Sequence, residues 1–232
     1  MIQVVYNPVW FYGKDLAIDL VSAFVLSLIA SFSIRYYKVN KKNKNYLYLA
    51  SSFFVIALSF LFKTLTNFTV FYKSLETRVF GNYILTYPAI QASNILVIVG
   101  FLLYRLLTLL GLYILYSTYQ EKQSKSNVFL LVFFILITTY FSDVEYFIFH
   151  ITALVMLAFI TLQYYNTYRK NKQSSSMLVT ASFAIIGISQ IFSVFVFYNS
   201  LYYVMAELIQ LVGYLILLTT FVKVLHNAKK KG

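Results

Sequence analysis

The sequence predicts an all-α polytopic membrane protein with seven transmembrane helices. Hydrophobic residues make up 60% of the 232 residues and charged residues 11%, and the mean hydropathy is +0.74. A soluble domain has about 45–50% apolar and about 25% charged residues. Seven apolar segments use up nearly the whole chain, and a helix of about 20 residues crosses a hydrocarbon core of about 30 Å. This composition excludes a soluble protein and leaves no room for a separate catalytic domain.

The predicted spans are 15–34, 46–62, 92–116, 127–141, 146–165, 177–198 and 201–222. The first follows an almost uncharged N-terminus without a small-residue cleavage motif, so we predict a retained helix. The fourth and fifth could form one element, but Asp143 and Glu145 lie between them and basic residues flank both far ends, which predicts a tight outer hairpin. The long loop 63–91 is predicted outside the membrane.

Charge predicts the orientation. Most of the 19 Lys and Arg residues follow the first, third, fifth and seventh spans, whereas every acidic residue except Glu121 lies in the other loops or in the outer half of a span. The positive-inside rule then places the N-terminus outside and the C-terminus in the cytoplasm. The net charge of +12 therefore reflects topology, and we expect a multi-pass protein of the cell membrane without a nucleic-acid partner.

The chain contains no cysteine. Disulfides, thiolate metal sites, iron–sulfur clusters and cysteine nucleophiles are therefore excluded. Motifs of the G-x-S-x-G, H-E-x-x-H, P-loop and G-x-G-x-x-G types do not occur in the sequence. We expect no enzymatic activity and no metal or other cofactor.

The sequence also indicates an internal duplication. An offset of 130 residues places Ser52 on Ser182 and Ile56 on Ile186, and an offset of 102 places Gly111 on Gly213. The second offset also aligns Arg105 with Glu207 and Thr108 with Gln210. We interpret the single domain 1–232 as a 3+1+3 plan, with halves 15–116 and 146–225 joined by the linker helix 127–141. The two halves would run parallel, as in some transporters.

One intramembrane charge carries the main site hypothesis. Arg105 lies inside the third span, where a charge costs at least about 2.5–3.5 kcal/mol, so it should face the bundle interior and find a partner. We expect that partner to be Glu207. The pair would either line an outward-facing polar site or act as a structural ion pair that fixes helix register.

Further polar residues are expected to line the same site. His150 could accept a proton, bind a metal or sense pH, or have a structural role at the interface. The other candidates are Asp19, Asn94, Thr108, Gln190 and Gln210.

Three resemblances bear on function. Ser189-Gln190 and the stretch 206–214 resemble uncharacterised archaeal-type seven-helix membrane proteins and the heptahelical sensor segments of membrane kinases. Histidine is frequent there where this chain has Gln190 and Glu207, which argues against a metal or haem role. The helix count and orientation resemble microbial rhodopsins, but Lys223 lies at the cytoplasmic edge of the last helix, so retinal is not expected. The 3+1+3 plan resembles SWEET-type sugar transporters, without their hinging prolines.

The sequence therefore predicts a membrane protein that binds a small ligand, lipid or partner at an outward-facing polar site. Its cytoplasmic loops of roughly 7–12 residues are too short for an effector domain. Sensing or regulation would require a cytoplasmic or membrane partner protein in addition to the surrounding lipids. The alternative is a small-solute or ion transporter, and the ligand and oligomeric state stay open.

Overall fold

The computed structural model describes residues 8–11, 13–39, 41, 44–76, 91–118, 125–142 and 145–229, and these form helices and turns. The α-helices are α1 (Lys14–Val39), α2 (Asn45–Glu76), α3 (Gln91–Ser117), α4 (Lys125–Phe141), α5 (Tyr146–Asn171), α6 (Ser174–Val194) and α7 (Leu201–Lys229). Short 3-10 helices cover Val9–Phe11 and Phe195–Phe197.

Six of these helices are long and apolar enough to cross a membrane, namely α1, α2, α3, α5, α6 and α7. The apolar part of α4, Val128–Phe141, is shorter. With 17 residues in all, α4 is about 26 Å long at about 1.5 Å per residue. The predicted all-helical class is confirmed, together with six helices of membrane-spanning length.

One predicted boundary is wrong. The loop 63–91 was expected to begin at Lys63, but α2 continues to Glu76. Residues 63–76 contain neither glycine nor proline, so nothing in this stretch breaks the helix. Lys63 itself is buried inside the bundle. The remainder of the predicted loop, 77–90, lies outside the described residues.

The turn between α5 and α6 is tight. Lys172 adopts a left-handed conformation with φ of 48°, and its backbone N–H donates to the Tyr168 carbonyl at 2.7 Å, which ends α5. Residues 172 and 173 alone then separate α5 from α6. The two helices therefore run antiparallel and pack along their length.

The helices form two groups of close neighbours. In the first group α2 packs against α1 and α3, and in the second α6 packs against α5 and α7. The groups meet where α1 contacts α7 and where α3 contacts α5, while α4 makes a smaller contact with α3 and α5. We call the contact between α1 and α7 the seam. Large side chains such as Phe53, Phe60 and Phe149 fill the core.

Two glycines that the offset of 102 residues aligns, Gly111 and Gly213, allow helices to approach closely within the groups. A Cβ atom on Gly111 would overlap Ile56 Cγ1 and lie 3.1 Å from the Ser52 carbonyl oxygen. A Cβ atom on Gly213 would overlap Ile186 and lie 3.2 Å from the Ser182 carbonyl oxygen. Small residues at such positions let helix backbones pack closely in membranes.

Replacing either glycine by alanine should therefore destabilise the bundle. We expect Gly111→Ala and Gly213→Ala each to lower the free energy of unfolding by about 1–3 kcal/mol, because the added methyl group forces the helices apart. Gly187→Ala is the matched control, since its Cβ would meet only ordinary contacts, the nearest 3.8 Å away at Leu154. Detergent titration followed by far-UV circular dichroism measures the loss, and equal stability of all three variants would contradict the packing role.

Candidate functional site

Three ionisable side chains from three helices meet inside the bundle. Lys63 Nζ, on α2, donates to Asp19 Oδ1 on α1 at 2.7 Å and to Glu207 Oε1 on α7 at 2.6 Å. The exposed fractions of Asp19, Lys63 and Glu207 are 0%, 5% and 6%. The lysine therefore connects both sides of the seam.

Neighbouring groups hold this arrangement in place. Asn67, one turn after Lys63 on α2, donates from Nδ2 to Asp19 Oδ2 at 3.2 Å. The ring centroids of Phe60 and Tyr104 each lie 5.6 Å from Lys63 Nζ, within the range of cation–π attraction. Both oxygens of Asp19 are therefore bound, and the ammonium group contacts aromatic faces. We call Asp19, Lys63, Asn67 and Glu207 the charge cluster.

The electrostatics of the charge cluster are unusual. Two carboxylates face one ammonium group, so full ionisation gives a net charge of −1 inside the protein. Removing charges from water is expensive, and pairing compensates for the cost only when charges match and hydrogen bonds are satisfied. In the ion pairs that the structure describes, two carboxylates therefore share one lysine, and one negative charge has no matching positive charge.

The structure does not show the expected ion pair between Arg105 and Glu207, because each binds another residue. Glu207 takes Lys63 as its ion-pair partner. Arg105 is buried on α3, and its Nη1 donates to the Ser142 carbonyl oxygen at 2.7 Å and to Ser142 Oγ at 3.3 Å. The guanidinium group therefore binds backbone at the end of α4, where a carbonyl is left without an intrahelical donor.

His150 forms a second buried polar contact. Its Nδ1 lies 2.8 Å from Gln190 Oε1, which joins α5 to α6. Its Nε2 is buried and has no hydrogen-bond partner among the described residues. The ring packs against Tyr146 and Phe149, with centroids at 4.5 and 4.9 Å. His150 thus lies outside the charge cluster.

A small cavity of about 20 Å³ lies between the helices. Three further predicted site residues are part of its lining, namely Thr108, Gln190 and Gln210. Thr108 donates to the Ser59 hydroxyl at 2.9 Å, and Gln210 donates to the Tyr214 hydroxyl at 3.1 Å. A space of about 10–15 Å³ is needed for one water molecule. The cavity therefore has room for a water molecule but not for a larger solute. Asn94 lies in α3, and its side chain is outside the part of the chain that the structure describes.

Sequence reasoning missed Lys63 and Asn67. Both were assigned to the outer loop, because Lys63 is the first charge after the second apolar run. Two features of the sequence instead favour a place for Lys63 inside the helix bundle. The helix has no breaker after residue 62, and Asp19 and Glu207 both lie in apolar helices where each needs a cation.

Comparison with known proteins gives no match. No protein-family model, no curated protein and no solved structure matches this chain. Function is therefore inferred from the chemistry of the charge cluster and from its place at the seam.

Proposed function

We propose that this protein binds a small polar ligand, a lipid headgroup or a partner at an outward-facing polar site and acts in sensing or regulation. The charge cluster carries this proposal. Ionisable side chains within membrane-spanning helices are expensive and mark ion or ligand sites by default. A purely structural ion pair needs one acid and one base, whereas this cluster has a second acid that Lys63 must share.

The charge distribution supports an outward-facing site in a cell-membrane protein. Asp19 and Glu207 lie near the starts of α1 and α7, and Lys63 lies in the later half of α2. Because α2 runs antiparallel to α1 and α7, these three positions lie at the same end of the bundle. The basic residues concentrate at the other end, which the positive-inside rule assigns to the cytoplasm. This orientation includes α4 as a short seventh span that reverses the chain between α3 and α5.

A regulatory role would act through another protein. The described link between α5 and α6 is only residues 172 and 173, flanked by Arg169 and Lys170. Such short basic turns can contact a partner or anionic headgroups but cannot form an effector domain. A change at the seam would reach the partner through the long helices α1 and α7.

Matching helix contacts support the second candidate, a small-solute or ion transporter with parallel repeats. Gly111 packs on Ser52 and Ile56 as Gly213 packs on Ser182 and Ile186. The Ser59 and Ser189 hydroxyls, also related by an offset of 130 residues, donate to the carbonyls of Ile56 and Ile186 at the same 2.7 Å. Binding sites of repeat-built transporters lie between the repeats, and the charge cluster takes residues from both halves.

Native mass spectrometry of protein gently purified from its own membrane tests the proposal. We expect a bound small molecule, lipid or partner that is retained in wild type and lost in Glu207→Gln. Glu145→Gln is the matched control, because Glu145 is exposed and lies outside the charge cluster. A bare monomer in wild type would contradict the ligand-binding proposal.

Solute flux into liposomes decides the second candidate. Flux that is present in wild type and in Glu145→Gln but absent in Glu207→Gln would establish transport. A bound partner without flux would establish regulation.

A further inference from the structure

The charge cluster brings two carboxyl groups close together. Asp19 Oδ1 and Glu207 Oε1 both accept a hydrogen bond from the same nitrogen, so they lie no further apart than two hydrogen-bond lengths. Two carboxylates this close repel one another, and the low dielectric of the interior strengthens the repulsion. One ammonium group cannot neutralise both.

Among the described residues, no second cation contacts Asp19 or Glu207. On α1, Asp15 adds another acid, and it accepts the Gly13 amide at 3.0 Å. On α2, Asn67 is neutral. On α3, Arg105 directs Nη1 to Ser142 at the end of α4. On α5, His150 binds Gln190 through Nδ1. In the part of the chain that the structure describes, the other titratable groups facing the charge cluster are the phenols Tyr104, Tyr203 and Tyr214.

We propose that Asp19 and Glu207 hold one proton between them at neutral pH, so that the site binds a proton. One group is then a carboxylate paired with Lys63 and the other a carboxylic acid, and the charge cluster is neutral. A buried group that lacks a compensating charge takes up or releases a proton instead of remaining charged. Two carboxyl groups that share a site ionise in sequence for the same reason. The inference rests on the proposed function and names the proton as a ligand of that site.

Proton binding at this position acts on the seam. Lys63 connects Asp19 on α1 with Glu207 on α7, and α1 and α7 contact each other less extensively than either contacts its neighbour within its own group. Loss of the proton leaves a second carboxylate competing for Lys63 and adds repulsion between α1 and α7. The proton therefore holds the two helices together, and its release favours their separation.

Infrared spectroscopy of the protein in lipid nanodiscs tests this inference directly. A protonated carboxyl group gives a C=O stretching band that shifts in D₂O, and we expect the band of one such group in wild type at neutral pH. Asp19→Asn and Glu207→Gln each remove one negative charge and leave the other carboxylate paired with Lys63. We therefore expect the band to disappear in both variants.

Two control variants locate the proton. Asp15→Asn and Glu145→Gln should retain the full band, because neither residue binds Lys63. Loss of the band in Asp15→Asn would overturn the assignment to the charge cluster. Absence of the band in wild type, or its persistence in either Asp19→Asn or Glu207→Gln, would overturn the shared proton.

Removal of the lysine should increase the infrared band, whereas removal of either acid abolishes it. In Lys63→Met no cation remains between the two acids, so both should bind protons and the band should about double. An unchanged band in the folded variant would contradict the charge argument. The infrared experiment needs no ligand or partner, so its failure leaves the native mass spectrometry result standing, and the two proposals can fail separately.

Discussion

Lys63→Met should lower the free energy of unfolding by about 3–5 kcal/mol at neutral pH. The substitution keeps most of the side-chain volume but leaves Asp19 and Glu207 buried without their shared cation. The loss should shrink on acidification, because folding of the variant at neutral pH requires both carboxyl groups to bind a proton, whereas folding of the wild type requires only one. Lowering the pH therefore stabilises the variant more than the wild type. Detergent-induced unfolding followed by far-UV circular dichroism at several pH values measures both effects.

Two comparisons separate charge from packing. Lys170→Met, at the exposed end of α5, should be nearly neutral. The triple variant Lys63→Met, Asp19→Asn, Glu207→Gln should recover most of the stability, since it removes both buried acids together with the lysine. A Lys63→Met protein as stable as Lys170→Met would show that the charge cluster does not hold the seam.

Much of the helical architecture could be predicted from the sequence, because apolar run length and charge act locally along the chain. Asp143 and Glu145 predicted a break between two helices, and in the structure α4 ends at Phe141 and α5 begins at Tyr146. Helix ends were harder to predict. α5 ends at Asn171, six residues beyond the expected 165. Its C-cap is the left-handed Lys172, so no glycine marks the end of this helix in the sequence.

The partner of Glu207 could not be predicted, because partner choice depends on how each helix is rotated about its axis. Lys63 is separated from Asp19 by 44 positions and from Glu207 by 144. Nothing local in the sequence fixes that rotation. A hydropathy profile also treats the first lysine after an apolar run as the membrane boundary, which removed Lys63 from the candidates.

Arg105 and Glu207 do not pair, and the repeat hypothesis by itself did not require them to. If the two halves are parallel repeats, equivalent residues lie at similar depth but in separate halves. Glu207 on α7 faces α1 and α2 at the seam, whereas Arg105 on α3 faces the end of α4 on the opposite side. Equivalence by duplication thus predicts similar depth, not mutual contact.

Phe60→Ala should have the second large effect, a loss of about 3–5 kcal/mol in the free energy of unfolding. Phe60 is 1% exposed and lies between the two helix groups. Its ring packs edge-on against Tyr104 on α3 at 6.1 Å and against Tyr214 on α7 at 5.6 Å. The deletion would leave a cavity beside the charge cluster and remove one aromatic face from Lys63. The same detergent titration measures the loss.

Phe54→Ala on the same helix is the matched control, because Phe54 is 60% exposed and should change stability by no more than about 0.5 kcal/mol. Phe60→Leu should fall between the two, since it refills much of the volume but lacks the ring. If all three variants lost the same stability, the loss would reflect helix propensity and not packing between α2, α3 and α7. Losses in the expected order, largest for Phe60→Ala and smallest for Phe54→Ala, would instead show that the Phe60 ring stabilises the junction of α2, α3 and α7.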